Sequence, residues 1–382
     1  MKKIDPIKLH KKLKGKIEII SRATINSKED LSAVYTPGVA LPCLEIKKDI
    51  NKIYDYTRKG NLVAIVTDGS AVLGLGDIGP EASLPVMEGK AVLFKEFADI
   101  DAFPIALKIR DIDEIVRTVE NISPIFGGIL LEDICSPRCF EIEEKLQKKL
   151  DMPVFHDDQH GTAIVVLAGI YNALRVVEKK LINCKVIVNG AGAAGMAVTK
   201  LIIKAGVGEL ITLDSKGTIY KNRKGLNKYK KAIALVTNKK QIKADLRQAI
   251  KGADIFIGVS RPNLVDAKMI KSMNKKSIIF ALANPTPEVM PNIAIKAGAA
   301  VVATGRSDFP NQINNVLVFP GLFRGLLDNR INFVSDKIKL EVAAVLSNYV
   351  KKPTANKIMP DVLDKKIAKI IARTVKKIKY EN

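Results

Sequence analysis

The sequence predicts an α/β protein: an N-terminal α/β domain, then a domain built on a doubly wound parallel sheet, with C-terminal helices packing back. Three observations carry this. Short apolar runs alternate with helical patterns along most of the chain, the order that builds parallel sheets with helical crossovers. A long apolar stretch, Ala163–Val177, separates one series of runs from the next. A Gly-x-Gly-x-x-Gly follows the first strand of the second series directly.

In order, residues 1–60 read as helical and irregular, with a turn at Thr36-Pro37-Gly38. Strand-like runs follow at Leu62–Thr67, Phe103–Ile109, Gly128–Leu131 and Val154–Phe155. The second series is Val186–Asn189, Leu210–Leu213, Ile255–Val259, Ile278–Leu282 and Val301–Ala303. The domain limits expected are 1–160, 161–330 and a helical segment 331–382. In that segment Leu363, Ile367, Ile370, Ile371, Val375 and Ile378 fall on one helical face opposite lysines. Such a basic amphipathic helix can lie on a membrane, but packing its stripe on the protein's own core is the expectation.

Composition narrows the function. A hydrophobic share of 47% in 382 residues is globular. No uninterrupted apolar run reaches the ~18–20 residues that span a bilayer, since Asn172 and Arg175 interrupt Ala163–Val177. Met1-Lys2-Lys3-Ile4-Asp5-Pro6 has charge but no apolar segment after it, so no signal peptide is expected. Cys43, Cys135, Cys139 and Cys184 form no Cys-x-x-Cys and read as reduced thiols of a cytoplasmic protein. The net charge of +22 raises the question of nucleic acid. Its lysines are scattered, however, and Trp is absent, so a basic surface without nucleic-acid or membrane partners is expected.

Two apolar runs end in paired acids, Glu132-Asp133 and Asp157-Asp158. The carboxyl ends of strands are where open α/β sheets bind ligands. Four carboxylates there would repel one another unless a cation sits between them, and oxygen ligands point to Mg²⁺ or Mn²⁺. Adjacent acids on a strand face opposite ways, so Glu132 and Asp133 share an ion only if the strand curls at its end. His156 and His160 imitate the spacing of a zinc helix, but no Glu stands at the base position, and Pro153 and Gly161 speak against a regular helix there.

The glycine motif is Gly190-Ala191-Gly192-Ala193-Ala194-Gly195, between the strand Lys185–Asn189 and a helix read over Met196–Lys204. Its backbone amides suit a pyrophosphate, which makes this a Rossmann-type domain for NAD or NADP. Asp214 ends the next strand at the place of a ribose-binding acid and argues for NAD, while Ser215 and Lys216 leave NADP open. A second match, Gly74-Leu75-Gly76-Asp77-Ile78-Gly79, lies in the long turn that starts at Asp68 and includes Ser70. It is expected to cradle a carboxylate on backbone N–H groups. Pro80 would open a helix carrying Lys90 about three turns in.

Several segments resemble the malic enzymes: Tyr35-Thr36-Pro37-Gly38-Val39-Ala40, Asp68–Gly76, Pro85–Lys90, Leu131-Glu132-Asp133 and His156–Ala163. Ala283-Asn284-Pro285-Thr286, Asn314-Asn315-Val316 and Phe319-Pro320-Gly321 also match, in order, through almost the whole chain. The chain is similar to the short prokaryotic form. Larger members carry arginine where Ala71 stands, and the acetyltransferase-like domain of some relatives has no room here.

The resemblance implies oxidation and decarboxylation of (S)-malate to pyruvate with NAD or NADP, and decarboxylation of oxaloacetate. It implies Glu132, Asp133 and Asp158 as ligands of Mg²⁺ or Mn²⁺. Lys90 becomes the base, its pKa lowered by burial and the cation, with Asp157 orienting it. Tyr35 becomes the acid that protonates the enolpyruvate carbon. Asn284 and Asn315 contact substrate or nicotinamide ribose, beside Ser70 and Gly74. A homodimer with Tyr35 near its interface is implied. The rivals are a malolactic-type enzyme, which keeps NAD bound and releases lactate, and a basic nucleic-acid-binding protein on a dinucleotide fold.

Overall fold

The computed structural model describes residues 4–380; Met1, Lys2 and Lys3, read above for charge, lie outside them. Four helices open the chain: α1 (Pro6–Leu13), α2 (Lys28–Val34), α3 (Ala40–Lys48) and α4 (Ile53–Tyr56). None of them buries a residue. The first sheet holds β1 (Leu62–Thr67), β2 (Asp101–Ala106), β3 (Gly128–Leu131) and β4 (Val154–His156) in the order β2-β1-β3-β4. All its pairs are parallel, with α5 (Gly79–Ala98), α6 (Ile112–Ile122) and α7 (Arg138–Lys149) as crossovers. β2 starts and ends earlier than its apolar run suggests. It is an edge strand, where Pro104 is tolerated opposite Ile65.

α8 (Asp157–Val177) leads into the second sheet. Its strands are β5 (Lys185–Asn189), β6 (Glu209–Asp214), β7 (Gly217–Thr218), β8 (Ile255–Gly258), β9 (Ile278–Ala281) and β10 (Val301–Thr304), in the order β10-β9-β8-β5-β6-β7. Only β7 runs antiparallel, against β6. The order reverses at β5, so the glycine motif stands at the switch point where such sheets bind ligands. α9 (Ala193–Lys204), α10 (Lys228–Val236), α11 (Leu246–Ala249), α12 (Ala267–Lys271) and α13 (Pro291–Lys296) cover the faces. α14 (Phe319–Asp328), α15 (Asp336–Tyr349) and α16 (Lys366–Tyr380) pack back on the body.

α8 corrects the expectation that Pro153 and Gly161 exclude a helix at His156–His160. Pro153 lies before β4, and the helix starts at Asp157 with two acids in its first turn, favourable against the helix dipole. The helix has the length and composition to span a membrane, but the apolar window is 72% buried between the two sheets. Asn172 donates to the carbonyls of Ser347 and Ile358, so the interrupting polar group is spent inside the fold.

The C-terminal stripe packs as expected at Ile367, Ile371, Val375 and Ile378, all buried. Leu363 is an exception: it precedes the helix, in a turn capped by Asp361, and is exposed. α16 approaches α14 closely because Gly321 and Gly325 carry no side chain. A Cβ on Gly321 would lie 2.7 Å from Ala368 Cα, and one on Gly325 2.7 Å from Val375 Cβ. α14 in turn sets Phe319 and Phe323 against Phe94 of α5, with ring centroids 4.8 and 5.3 Å apart. This edge-to-face cluster ties the C-terminal helices to the first domain.

Candidate active site

The acids gather at the carboxyl ends of β3 and β4. The Glu132 amide still donates to the Val66 carbonyl, at 2.9 Å, so the strand reaches that residue. Asp133 then turns with φ +54°, a left-handed conformation that a non-glycine residue adopts at a cost of about 1 kcal/mol or more. This turn is the curl that two adjacent acids need. The Asp133 amide donates to Asp158 Oδ2 at 2.8 Å, and its carbonyl accepts the Ala71 amide at 2.9 Å. Ligand atoms of Glu132, Asp133 and Asp158 come within 4.8 Å of one another.

Burial pushes the Glu132 pKa well above the carboxylate range, with Lys90 opposing. Burial, then the charge of Asp158, pushes Asp133 up to about 8. Glu132 Oε2 and Asp133 Oδ2 are buried without a hydrogen-bond donor. Two orphaned carboxylate oxygens among three converging acids fit a hard divalent cation. The two histidines make no hydrogen bond to this group, although His156 Nε2 stands 3.9 Å from Asp158 Oδ2. His160 Nε2 is tied to Glu143 at 2.9 Å, and both His156 ring nitrogens lack a partner.

Lys90 lies about three turns into α5, with its ammonium over the Phe319 ring at 4.5 Å. Its Nζ pairs with Glu132 Oε1 at 3.1 Å and more closely with Asp157 Oδ2. Burial pulls its pKa down, but Asp157, Glu132 and Asp158 outweigh burial and raise it. Among the protein's own groups Lys90 is therefore a held ammonium, and burial alone does not supply the expected lowering. A divalent cation on the acids would cancel the field that holds its proton. Asp157 is fully buried at the first turn of α8. A Cβ on Gly161 would meet Asp157 Oδ1 at 1.8 Å and Asn315 Cβ at 3.3 Å. Gly161 therefore makes room for this carboxylate, and Asn315 lies across the same helical turn.

The dinucleotide half is built at the β5–α9 joint. α9 begins inside the motif, at Ala193 rather than Met196, with no side-chain cap. The amides of its first turn are thus offered outward, as an anion site requires. Gly190 takes φ +125°, and a Cβ on Gly195 would stand 1.8 Å from the Gly190 carbonyl oxygen, so the third glycine lets helix and strand touch. Asp214 accepts from Arg223, Lys230 and the Lys216 amide. Burial raises its pKa, but these partners bring it down to about 2. The two halves meet here. A Cβ on Gly192 would lie 3.8 Å from Ser136 Oγ, and one on Gly74 2.8 Å from the Asn284 carbonyl oxygen.

A domain described as "Malic enzyme, N-terminal domain" matches residues 14–147, and "Malic enzyme, NAD binding domain" matches residues 159–380. The chain belongs to the malic enzyme family. It is 52% identical over 99% of its length to the bifunctional malic/malolactic enzyme of Bacillus subtilis, covering 93% of that protein. It is 50% identical over 96% of its length to the NAD-dependent malic enzyme of Geobacillus stearothermophilus, covering 77% of it. The NADP-dependent malic enzyme of Escherichia coli is 47% identical over 87% of this chain, which spans 44% of that relative. The crystal structure of the NAD-dependent malic enzyme from Thermotoga maritima superposes with a TM-score of 0.95 at 46% identity, over 98% of this chain and 99% of that one.

Not every expected residue of this malic-family site joins the cluster. Tyr35 caps α2 and is 66% exposed among other exposed apolar residues of the N-terminal helices. Most N–H groups of the loop from Asp68 to Gly79 are not free for the expected cradle. Gly69, Ser70, Ala71, Val72, Leu75, Gly76, Ile78 and Gly79 spend their N–H groups within the loop, on Thr67 or on Asp133. Ser70 Oγ is occupied by Asp68, Arg138 and the Cys135 amide. Gly74 instead meets the Asn284 loop.

Glu143 and Glu288 are buried acids near the site that the sequence analysis does not single out. Glu143 accepts from the His156 amide and from the Gln159 and His160 side chains. Its signal was an acid on the apolar stripe of Cys139 and Leu146. Glu288 accepts the amides of Ser260 and Ala283 and so holds the strand ends beside Asn284.

Proposed function

We propose that this member of the malic enzyme family oxidises (S)-malate at C2 and decarboxylates it to pyruvate, with oxaloacetate decarboxylation as a partial reaction. The observation that carries the reading is Lys90 held between Asp157 and the Glu132-Asp133-Asp158 cluster. Glu132, Asp133 and Asp158 would hold Mg²⁺ or Mn²⁺, which supplies Lewis-acid stabilisation of enolate charge. Lys90, once neutral, takes the C2 hydroxyl proton, and Asp157 keeps its Nζ aimed and receives positive charge as it forms. The first turn of α9 receives the cofactor pyrophosphate. Asn284, beside Gly74, and Asn315, beside Gly161, would orient substrate and ribose.

Asp214 supports a preference for NAD. Its two cations offset the charge that would repel a 2′-phosphate, so the margin over NADP is narrow. Tyr35 supplies the proton to C3. It stands among exposed Leu31, Val34, Leu41 and Leu44, an apolar surface suited to a homodimer interface, and assembly is what completes the site around it. The test is malate with Mn²⁺ and each cofactor in turn, following reduced cofactor and pyruvate. A second reading has specific support, because the B. subtilis relative is named for both malic and malolactic activity. Lactate formed without free reduced cofactor would establish it.

A further inference from the structure

We infer that Glu143 is a positioning residue for the acid cluster: from α7 it clamps the β4–α8 joint, and so sets where Asp157 and Asp158 point. The inference rests on the divalent-metal reading of Glu132, Asp133 and Asp158. The joint is a sharp one. His156 is the last residue of β4 and the N-cap of α8, yet its side chain makes no capping bond. The capping job falls to a carboxylate from another helix. Glu143 Oε1 accepts the His156 amide at 2.9 Å. Its Oε2 accepts Gln159 Nε2 at 3.1 Å and His160 Nε2 at 2.9 Å.

Three donors from one five-residue segment converge on one buried carboxylate. An anion at a helix N-terminus is favoured by the dipole and by unpaired amides, which offsets the cost of burying its charge. Packing alone does not require an acid here, since Cys139, Ile142 and Leu146 on the same helix are apolar and fully buried. The two residues that follow His156 have separate tasks. Asp157 grips Lys90, and Asp158 joins the proposed metal ligands while its Oδ2 fixes the Asp133 amide. A tilt of the joint therefore disturbs base and metal together. The nucleotide loop at Gly190–Gly195, carried by β5 and α9, donates no hydrogen bond to Glu143. Of the two histidines whose spacing imitates a zinc site, His160 has its ring nitrogen on this clamp, and His156 contributes only its backbone amide.

The variants are Glu143→Gln and Glu143→Leu in the full-length protein. Glutamine keeps one acceptor oxygen but turns an amide toward two donors; leucine fills the space and accepts nothing. Mn²⁺ binding is read from free Mn²⁺ by electron paramagnetic resonance, NADH binding from its fluorescence, and the fold from thermal melts. Loss of such supporting contacts typically weakens a metal site about 10–100-fold. The expected result is Mn²⁺ affinity reduced about tenfold in Glu143→Gln and further in Glu143→Leu, kcat reduced alongside, and NADH affinity unchanged. If leucine prevents folding, Glu143→Gln decides alone. Unchanged Mn²⁺ affinity and kcat, whatever the melting temperature, would overturn the inference. So would Mn²⁺ and NADH binding falling in parallel, which marks a general structural role. Wild-type protein that binds no Mn²⁺ removes the metal reading and this inference with it. Wild type that binds beside variants that bind equally removes the inference alone.

Discussion

Divalent-cation affinity should depend steeply on pH because Asp133 titrates far from its ordinary range. Its pKa is pushed up to about 8, by burial first and then by Asp158, against about 3.9 for an unperturbed aspartate. The folded chain thus holds a proton there that the unfolded chain has released, so ionising this carboxyl costs stability as pH rises from about 4 through about 8. A cation must displace that proton to bind. With one proton released, Mn²⁺ affinity at pH 6 should be about 50-fold weaker than at pH 8, and weaker still if Glu132 releases a second. At pH 8 and a free Mn²⁺ concentration 100 times its Kd, binding adds about 2.7 kcal/mol to stability. For a chain of 382 residues unfolding as one unit, that is roughly 3 °C, at about 2.1 cal/mol/K of unfolding entropy per residue. The same concentration at pH 6 should add roughly 0.8 °C. Mn²⁺ titrations followed by electron paramagnetic resonance and by thermal melts at pH 6, 7 and 8 measure both quantities. Asp158→Asn, which keeps an acceptor for the Asp133 amide but removes a charge, should lose most of the affinity at every pH. Affinity that stays flat from pH 6 to 8, or an Asp158→Asn protein that binds like wild type, would refute the reasoning.

Lys90→Ala should lose malate oxidation, with part of the rate restored by small amines, while Tyr35→Phe should bind malate and cofactor but lose ~10²–10⁴ in tritium exchange into pyruvate. Exchange at the wild-type rate in Tyr35→Phe would make Tyr35 an interface residue only. Gly161→Ala places a methyl 1.8 Å from Asp157 Oδ1, so the carboxylate must move off Lys90, and kcat should fall about 10²-fold; unchanged kcat would show that α8 yields instead. Asp214 has a depressed pKa of about 2, so the stability it contributes is full above about 4 and is lost as pH falls to about 2. Arg223→Ala should shift the onset of acid unfolding to higher pH, as acid melts of the two proteins would read.

Strand ends were the legible part of this chain. β1 and β3 fall at the residues their apolar runs mark, because both are flanked by turn residues and buried on both faces. The acids after β3 and β4 and the glycines after β5 could be placed for the same reason. What failed was local punctuation with a tertiary cause. Gly161 reads as a helix stop, but it exists for the Asp157 carboxylate that stands over it. The glycines of the Asp68–Gly79 loop read as an anion cradle, but the loop closes on itself and on Asp133. The left-handed turn at Asp133, which lets neighbouring acids share one face, has no sequence signal at all. Nor does β7, whose two residues are too few to show a period. Exposure of Tyr35 is invisible to a motif, since motif order says nothing about which surface a helix reaches.

The aromatic floor under Lys90 sets a limit on when this site can exist during synthesis. Every charged group around Lys90 is encoded before residue 160, and its own helix and sheet leave the ribosome early. Phe319, on which the ammonium rests, comes roughly half a chain later on α14, and α14 is held by α16 through the gap left by Gly321 and Gly325. A nascent chain arrested before residues 319–328 emerge would carry the acids and the lysine without the ring on which the ammonium rests. The first domain is therefore translated first and finished last.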